Sequence, residues 1–123
     1  MLTQDSLAHF TGSETFTRYM AGVILSEGAA HVAKEGGAFW LMDIIVSYQF
    51  EPKFRDEDFQ VWKLKVDRQG DPENVTAMNK ATVSCEDGNG NTLITQEIEA
   101  TDFPLPEIIL WFQNNTIFLP SEY

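Results

Sequence analysis

The feature that most limits what this chain can fold into is a change of hydrophobic period near residue 58. Beyond it, apolar residues alternate. In "FQVWKLKVD" (59–67) Trp62, Leu64 and Val66 face one way, and Val61, Lys63 and Lys65 the other. "KATVSCE" (80–86) sets Ala81, Val83 and Cys85 against Thr82, Ser84 and Glu86. "NTLITQEIEA" (91–100) turns Ile94 and Ile98 inward and Glu97 and Glu99 outward. "EIILWFQ" (107–113) is apolar on both faces, as a strand covered on both sides would be. Asn114-Asn115 suits a two-residue turn, because asparagine tolerates positive φ, and "TIFLP" (116–120) returns as a last short strand. "RQGDPENV" (68–75) reads as the loop joining the first two strands.

Before residue 58 the spacing is helical. Thr11 and Glu14 stand at capping-box spacing, and Phe16, Tyr19, Met20, Val23 and Ile24 follow on one side, predicting a helix over 12–21. A strand competes there, since Tyr19, Ala21, Val23 and Leu25 also alternate, and Gly22 stops the helix from running on. Ser26 is a good N-cap for a second helix with Glu27 at its positive end and Gly36 as a left-handed C-terminal cap. A third, 38–50, is apolar nearly all round and reads as a buried central helix closed by Pro52. The prediction is one α+β domain over 1–123. Two to three amino-terminal helices pack on a four- to five-stranded antiparallel meander sheet, and residues 1–9 are flexible.

Charge restricts function more than it restricts fold. The net charge is −11, and no Lys or Arg follows Lys80 while seven carboxylates do. Such a surface repels phosphates, so direct nucleic-acid binding is not expected. Solubility accounts for it most simply; attraction of a basic protein partner is the functional reading. The longest apolar stretch, "AFWLMDIIV" (38–46), is broken by Asp43 and too short to span a bilayer, and "MLTQDSLAHF" has no signal-peptide pattern. With a single cysteine, Cys85, the expectation is a cytoplasmic protein without membrane attachment.

Candidate chemistry is sparse. "SCEDGNGNTL" (84–93) places Asp87, Asn89 and Asn91 like the first ligands of a calcium loop. Thr92 and Ile98 stand where such a loop needs glycine and glutamate, so the stretch reads as a hairpin tip. Glu27, His31 and Glu35 lie four apart on one helix face, a pattern able to hold a metal ion, although a solvated face is the simpler reading. Asp43, a carboxylate inside an apolar run, is the one candidate catalytic acid or base. It would sit on the floor of a helix–sheet pocket walled by Trp40, Trp62 and His31; a capping or ion-pair role is the simpler alternative. Phosphate loops, nucleophile elbows and zinc cysteine pairs are missing, and no cofactor is expected. "TDFPLPE" (101–107) carries Asp102 and Glu107 around a stiff apolar bend, either a recognition surface or a crossover.

Four pieces together, "FTGSETFTRY", "EGGAFWLMDII", "CEDGNG…ITQEIEATDFPLP" and the terminal "LPSEY", resemble a family of small bacterial proteins of unknown function. The resemblance covers roughly residues 10 to 123 and brings no catalytic residues with it. It implies the helices-then-sheet order and an association with bacteria rich in mobile elements, hence a link to mobile elements or to defence. The expected function is that of a non-enzymatic acidic accessory protein acting through a protein partner, with Glu97, Glu99, Asp102 and Glu107 as the contact candidates. A narrower version imitates the charge of DNA. The alternatives are a small enzyme or ligand-binding domain around Asp43, and a homo-oligomer associating through the "IILWF" strand.

Overall fold

A computed structural model describes residues 2–12, 15–67 and 79–123. In chain order its elements are α1 (Gln4–Ala8), β1 (Thr17–Arg18), β2 (Ile24–Leu25), α2 (Glu27–Glu35), α3 (Phe39–Tyr48) and α4 (Pro52–Arg55). β3 (Phe59–Asp67), β4 (Asn79–Glu86), β5 (Thr92–Thr101), β6 (Glu107–Gln113), β7 (Thr116–Phe118) and a 3₁₀ turn (Pro120–Glu122) follow. The fold is α+β. The 68–75 loop and the Glu14 half of the first capping box lie outside the described residues.

Alternation decides the second half as expected. Trp62, Leu64 and Val66 of β3, Ala81, Val83 and Cys85 of β4, and Ile108, Leu110 and Phe112 of β6 are all buried. They face one helical layer, to which α2 contributes Ala29, Val32 and Ala33, and α3 contributes Leu41, Met42, Ile45 and Val46. Among the buried polar residues Gln60, Ser26 and Thr101, Gln60 has the largest side chain. Gln60 is fully buried, and its amide is satisfied at both ends by Gln49, the Phe54 carbonyl and the Trp62 indole N–H, at 2.8 to 3.0 Å.

The meander is not what forms. The sheet has seven strands in the order β1-β2-β7-β6-β3-β4-β5 and is mixed, since β2 runs parallel to β7. After β5 the chain returns past two strands and lays β6 beside β3, so β6-β3-β4-β5 form a Greek key. The turn-back is the proline-stiffened segment 102–106, a crossover in which Phe103 and Leu105 are buried. Its prolines cost the ladder nothing because the segment runs over strand ends, fastened by Val66 N–H to the Pro106 carbonyl (2.8 Å). Alternation fixes which face each strand buries but carries no information on which strand neighbours which.

Three helical expectations also change. Among the described residues of the expected 12–21 helix none is helical; β1 and β2 make a hairpin turned at Ala21 and Gly22, both at positive φ, which docks on the edge of β7 through Ile24 N–H to Asn115 O (2.8 Å). The competing alternation wins because β7 offers hydrogen-bond partners that local spacing cannot reveal. The left-handed residue after α2 is Gly37, not Gly36. A Cβ on Gly36 would lie 2.6 Å from the Val32 carbonyl and 2.9 Å from both Leu2 and Phe103, so this position is glycine for close packing. Helix α3 stops at Tyr48 and is apolar on one side only, Asp43 and Ser47 being exposed; Pro52 opens α4. The amino terminus is held rather than loose: Thr3 caps α1 in a reciprocal box with Ser6, and Leu2 and Leu7 are buried. No helix among the described residues is long and apolar enough to cross a membrane.

Candidate functional site

The sequence-derived candidates separate in space. At the hairpin tip Asp87 accepts from the backbone N–H of Asn89 (2.8 Å) and Asn91 (3.1 Å) and from the Asn91 side chain (2.8 Å). These bonds, led by the Asn91 amide, hold its carboxyl below the ordinary aspartate value. Gly88 and Gly90 supply positive φ. Each residue that resembled a metal ligand is thus used by the turn itself.

Glu27 and His31 share a helix face but serve different neighbours. Glu27 accepts from Thr15 N–H (3.1 Å), while His31 bonds Ser6 Oγ (3.2 Å) and packs against the Phe10 ring. Glu35 is exposed at the far end of α2. Among the described residues no cluster of three His, Cys, Asp or Glu side chains is arranged to hold a metal ion.

Asp43 is not on a pocket floor. It lies on the outer side of α3 and accepts the hydroxyl of Tyr19 from the β1–β2 hairpin. Burial first, then this bond and the Asp43 charge, push the Tyr19 phenol up to about 12. Trp62 is sealed in the core, 1 % exposed, and shares no cavity wall with Asp43. A cleft of about 450 Å³ does open elsewhere, between the C-terminal end of α3, α4 and the two tight turns at Ala21 and Asn114-Asn115. It has Phe54 and Phe112 at its base and Arg55, Glu57 and Asp58 along its rim, and Asp43 is not part of it.

The four acidic candidates lie at one end of the sheet, away from the helices, and are interrupted by base. Strand register sets Glu107, Lys65, Thr82 and Glu97 in one transverse row on the helix-free face. Glu107 and Glu97 therefore stand three strand spacings apart, about 14 Å, with Lys65 between them. Glu99 and Asp102 are exposed farther along, beside Lys80 and in the crossover.

The same face carries a feature that the sequence did not announce. "EIILWF" has two apolar sides, yet helices cover only one, so Ile109 and Trp111 are left on the other, half-buried. Register places Val61 and Phe118 on either side of Trp111 in one row. Phe59, Phe118 and the carboxy-terminal Tyr123 surround the Trp111 ring edge-to-face, with centroids at 5.1, 6.1 and 5.5 Å. A depression of about 310 Å³ continues from this cluster, walled by Phe118, Tyr123 and Phe16, the last two being 77 % and 52 % exposed. The available signal was the pairing of an apolar outer parity on β6 with Phe59 and Val61 on β3, which requires knowing that β6 neighbours β3.

Tyr123 reaches this face because the tail "LPSEY" is locked down. Leu119 is buried, Ser121 Oγ donates to the Phe10 carbonyl (2.6 Å), and Glu122 turns back onto the start of α2. Its carboxylate accepts from Ser26 Oγ (2.7 Å), Gly28 N–H (3.0 Å) and Leu119 N–H (2.8 Å). Ser26 in turn caps Ala29 N–H (3.1 Å), so a negative group sits where the helix dipole favours one.

A family model described as a family of unknown function, DUF6876, matches residues 1–123. The chain belongs to the DUF6876 family. No curated protein and no solved structure matches it. Membership of DUF6876 assigns no activity, and the reading of function rests on the faces described above.

Proposed function

We propose that this DUF6876 protein is a non-enzymatic acidic binding or accessory protein that engages a protein partner on the helix-free face of its sheet. The observation that carries the reading is the ring of aromatics about Trp111 on a face that none of the described helices covers. A globular chain gains nothing in stability from leaving such rings in water, and aromatic side chains are the usual anchors of protein interfaces. Tyr123 and Phe118 also fasten the tail, but that duty would be met by rings facing inward. The carboxylates Glu97, Glu99, Asp102 and Glu107 at the far end of the sheet suit a partner with an apolar centre and a basic rim, steering its approach. Imitation of DNA in a defence setting asks for an unbroken acidic row, and Lys65 breaks it. The small-enzyme alternative around Asp43 loses its pocket, since Asp43 lies on the outside of α3.

The test is affinity capture from native extract with the wild-type chain and three variants. A stoichiometric partner retained by wild type and by Asp43→Asn, and lost with Tyr123→Glu, is the expected pattern. A partner indifferent to Tyr123→Glu and Trp111→Ser, or lost with Asp43→Asn, would overturn the assignment.

A further inference from the structure

The sheet ends on β5, ten residues long, whereas its opposite edge is the two-residue β1. A long free edge is a row of unpaired backbone donors and acceptors, and folded proteins shorten it, cover it or pair it. Here the helical layer covers the last strand only in part: α3 reaches it through the Tyr48 hydroxyl, which donates to Gln96 Oε1 (2.9 Å). The core residues of β4, Ala81, Val83 and Cys85, are at most 3 % exposed, while their neighbours on β5, Ile94, Gln96 and Ile98, remain only half-buried. Both ends of the edge are blunted: the β4–β5 register shifts between Asn79 and Ala81 and again between Cys85 and Glu86, and Lys53 Nζ donates to the Leu93 carbonyl (2.6 Å). Between those ends, Ile94 to Ile98 run in regular register.

We infer that β5 is a homodimer edge, pairing antiparallel with β5 of a second copy of this chain about a two-fold axis through Gln96. The pleat allows only axes that pass through a residue, because opposite residues must share a face. An axis through Gln96 sets Ile94 against Ile98 of the second copy on the helix side. On the outer side it sets Thr95 against Glu97, within the regularly registered stretch. No carboxylate then opposes a carboxylate, and both isoleucines gain an apolar neighbour where the helical layer ends. Moving the axis to Glu97 opposes Glu97 to itself and Ile94 to Ala100; moving it to Thr95 opposes Ile94 to Gln96. Of the registers centred on Thr95, Gln96 and Glu97, the one on Gln96 alone is self-complementary in both charge and apolar pairing, as a two-fold interface requires. The "IILWF" strand cannot do this, since β6 has β3 and β7 on its two sides. The interface is separate from the aromatic face, and neither reading depends on the other.

Sedimentation velocity over a concentration series, at low and high salt, reads the association. Wild type is expected to dimerise, more tightly at high salt because each copy carries −11. Thr95→Glu opposes two new like-charge pairs and should weaken the dimer roughly three- to thirty-fold, whereas Thr95→Lys should tighten it by a similar factor. Ser47→Lys, the same charge change on exposed α3, should give no comparable tightening. Gln96→Cys should form an intermolecular disulfide rapidly on mild oxidation, and Glu97→Cys should not, because only residue 96 meets itself across the axis. Tyr123→Glu should leave the dimer intact. A chain monomeric at every concentration and salt, or a Glu97→Cys disulfide as fast as that of Gln96→Cys, would overturn the inference; so would a dimer abolished by Tyr123→Glu.

Discussion

Gly28→Ala separates two physical effects of opposite sign. Gly28 sits in the first turn of α2, where alanine should stabilise the helix by about 1 kcal/mol relative to glycine. In the folded chain, however, a Cβ at Gly28 would lie 2.5 Å from both Glu122 Oε1 and Leu119 Cδ1, and 2.8 Å from Glu122 Cδ. No side chain tolerates those distances, so the carboxylate must leave Ser26 Oγ and the Gly28 and Leu119 amides. A hydrogen bond to a charged group contributes about 1.5–3 kcal/mol, and Glu122 is only half-buried, so losing this set costs about 2–4 kcal/mol. The net expectation is a loss of about 1–3 kcal/mol despite the better helix former. Urea unfolding followed by tryptophan fluorescence measures it as a lower midpoint at unchanged slope. In a Glu122→Ala background the cost should fall by at least about 1 kcal/mol, leaving the Leu119 contact as the remainder. If Gly28→Ala stabilises the wild-type chain by the helix-propensity amount, or costs the same with and without Glu122, the tail lock is not the reason for glycine at this position.

Two further expectations follow from the raised pKa values. Tyr19 should titrate at about 12 rather than the ordinary 10, so the absorbance difference between wild type and Tyr19→Phe at 295 nm should rise well above pH 11. Because the folded value is the higher one, the contribution of this phenol to stability is complete below pH 10 and is lost as pH climbs towards 12; Tyr19→Phe should flatten that part of the stability profile. Cys85 is fully buried, and burial, then the charges of Glu57, Glu86 and Asp87, push its thiol up to about 12. Ellman's reagent at pH 8 should therefore label the native chain only through unfolding and the urea-unfolded chain at once; rapid labelling of native protein would contradict the placement of β4.

By itself the sequence determined each local element whose cause is local. Period two set β3, β4 and β5 and the face each turns inward, because one side of an alternating strand must leave water, whereas "EIILWFQ" left the buried face of β6 open. Ser26 set the start of α2, and "DGNG" and Asn114-Asn115 set their turns, because those backbone angles and caps select their residues. What the tertiary structure decided was every question of neighbourhood. It paired β6 with β3 instead of β5, made Thr17–Arg18 and Ile24–Leu25 strands because β7 had an unfilled edge, and put Asp43 outside rather than under the helices. It also assembled the two features on which the proposals rest. Trp111 centres an aromatic cluster only because β3 and β7 bring Val61, Phe59 and Phe118 beside it, and β5 stands at the edge of the sheet only because the chain turned back at Phe103. Spacing along a chain states which side a residue faces, while contact energy between distant segments states what it faces, and binding surfaces are made of the second.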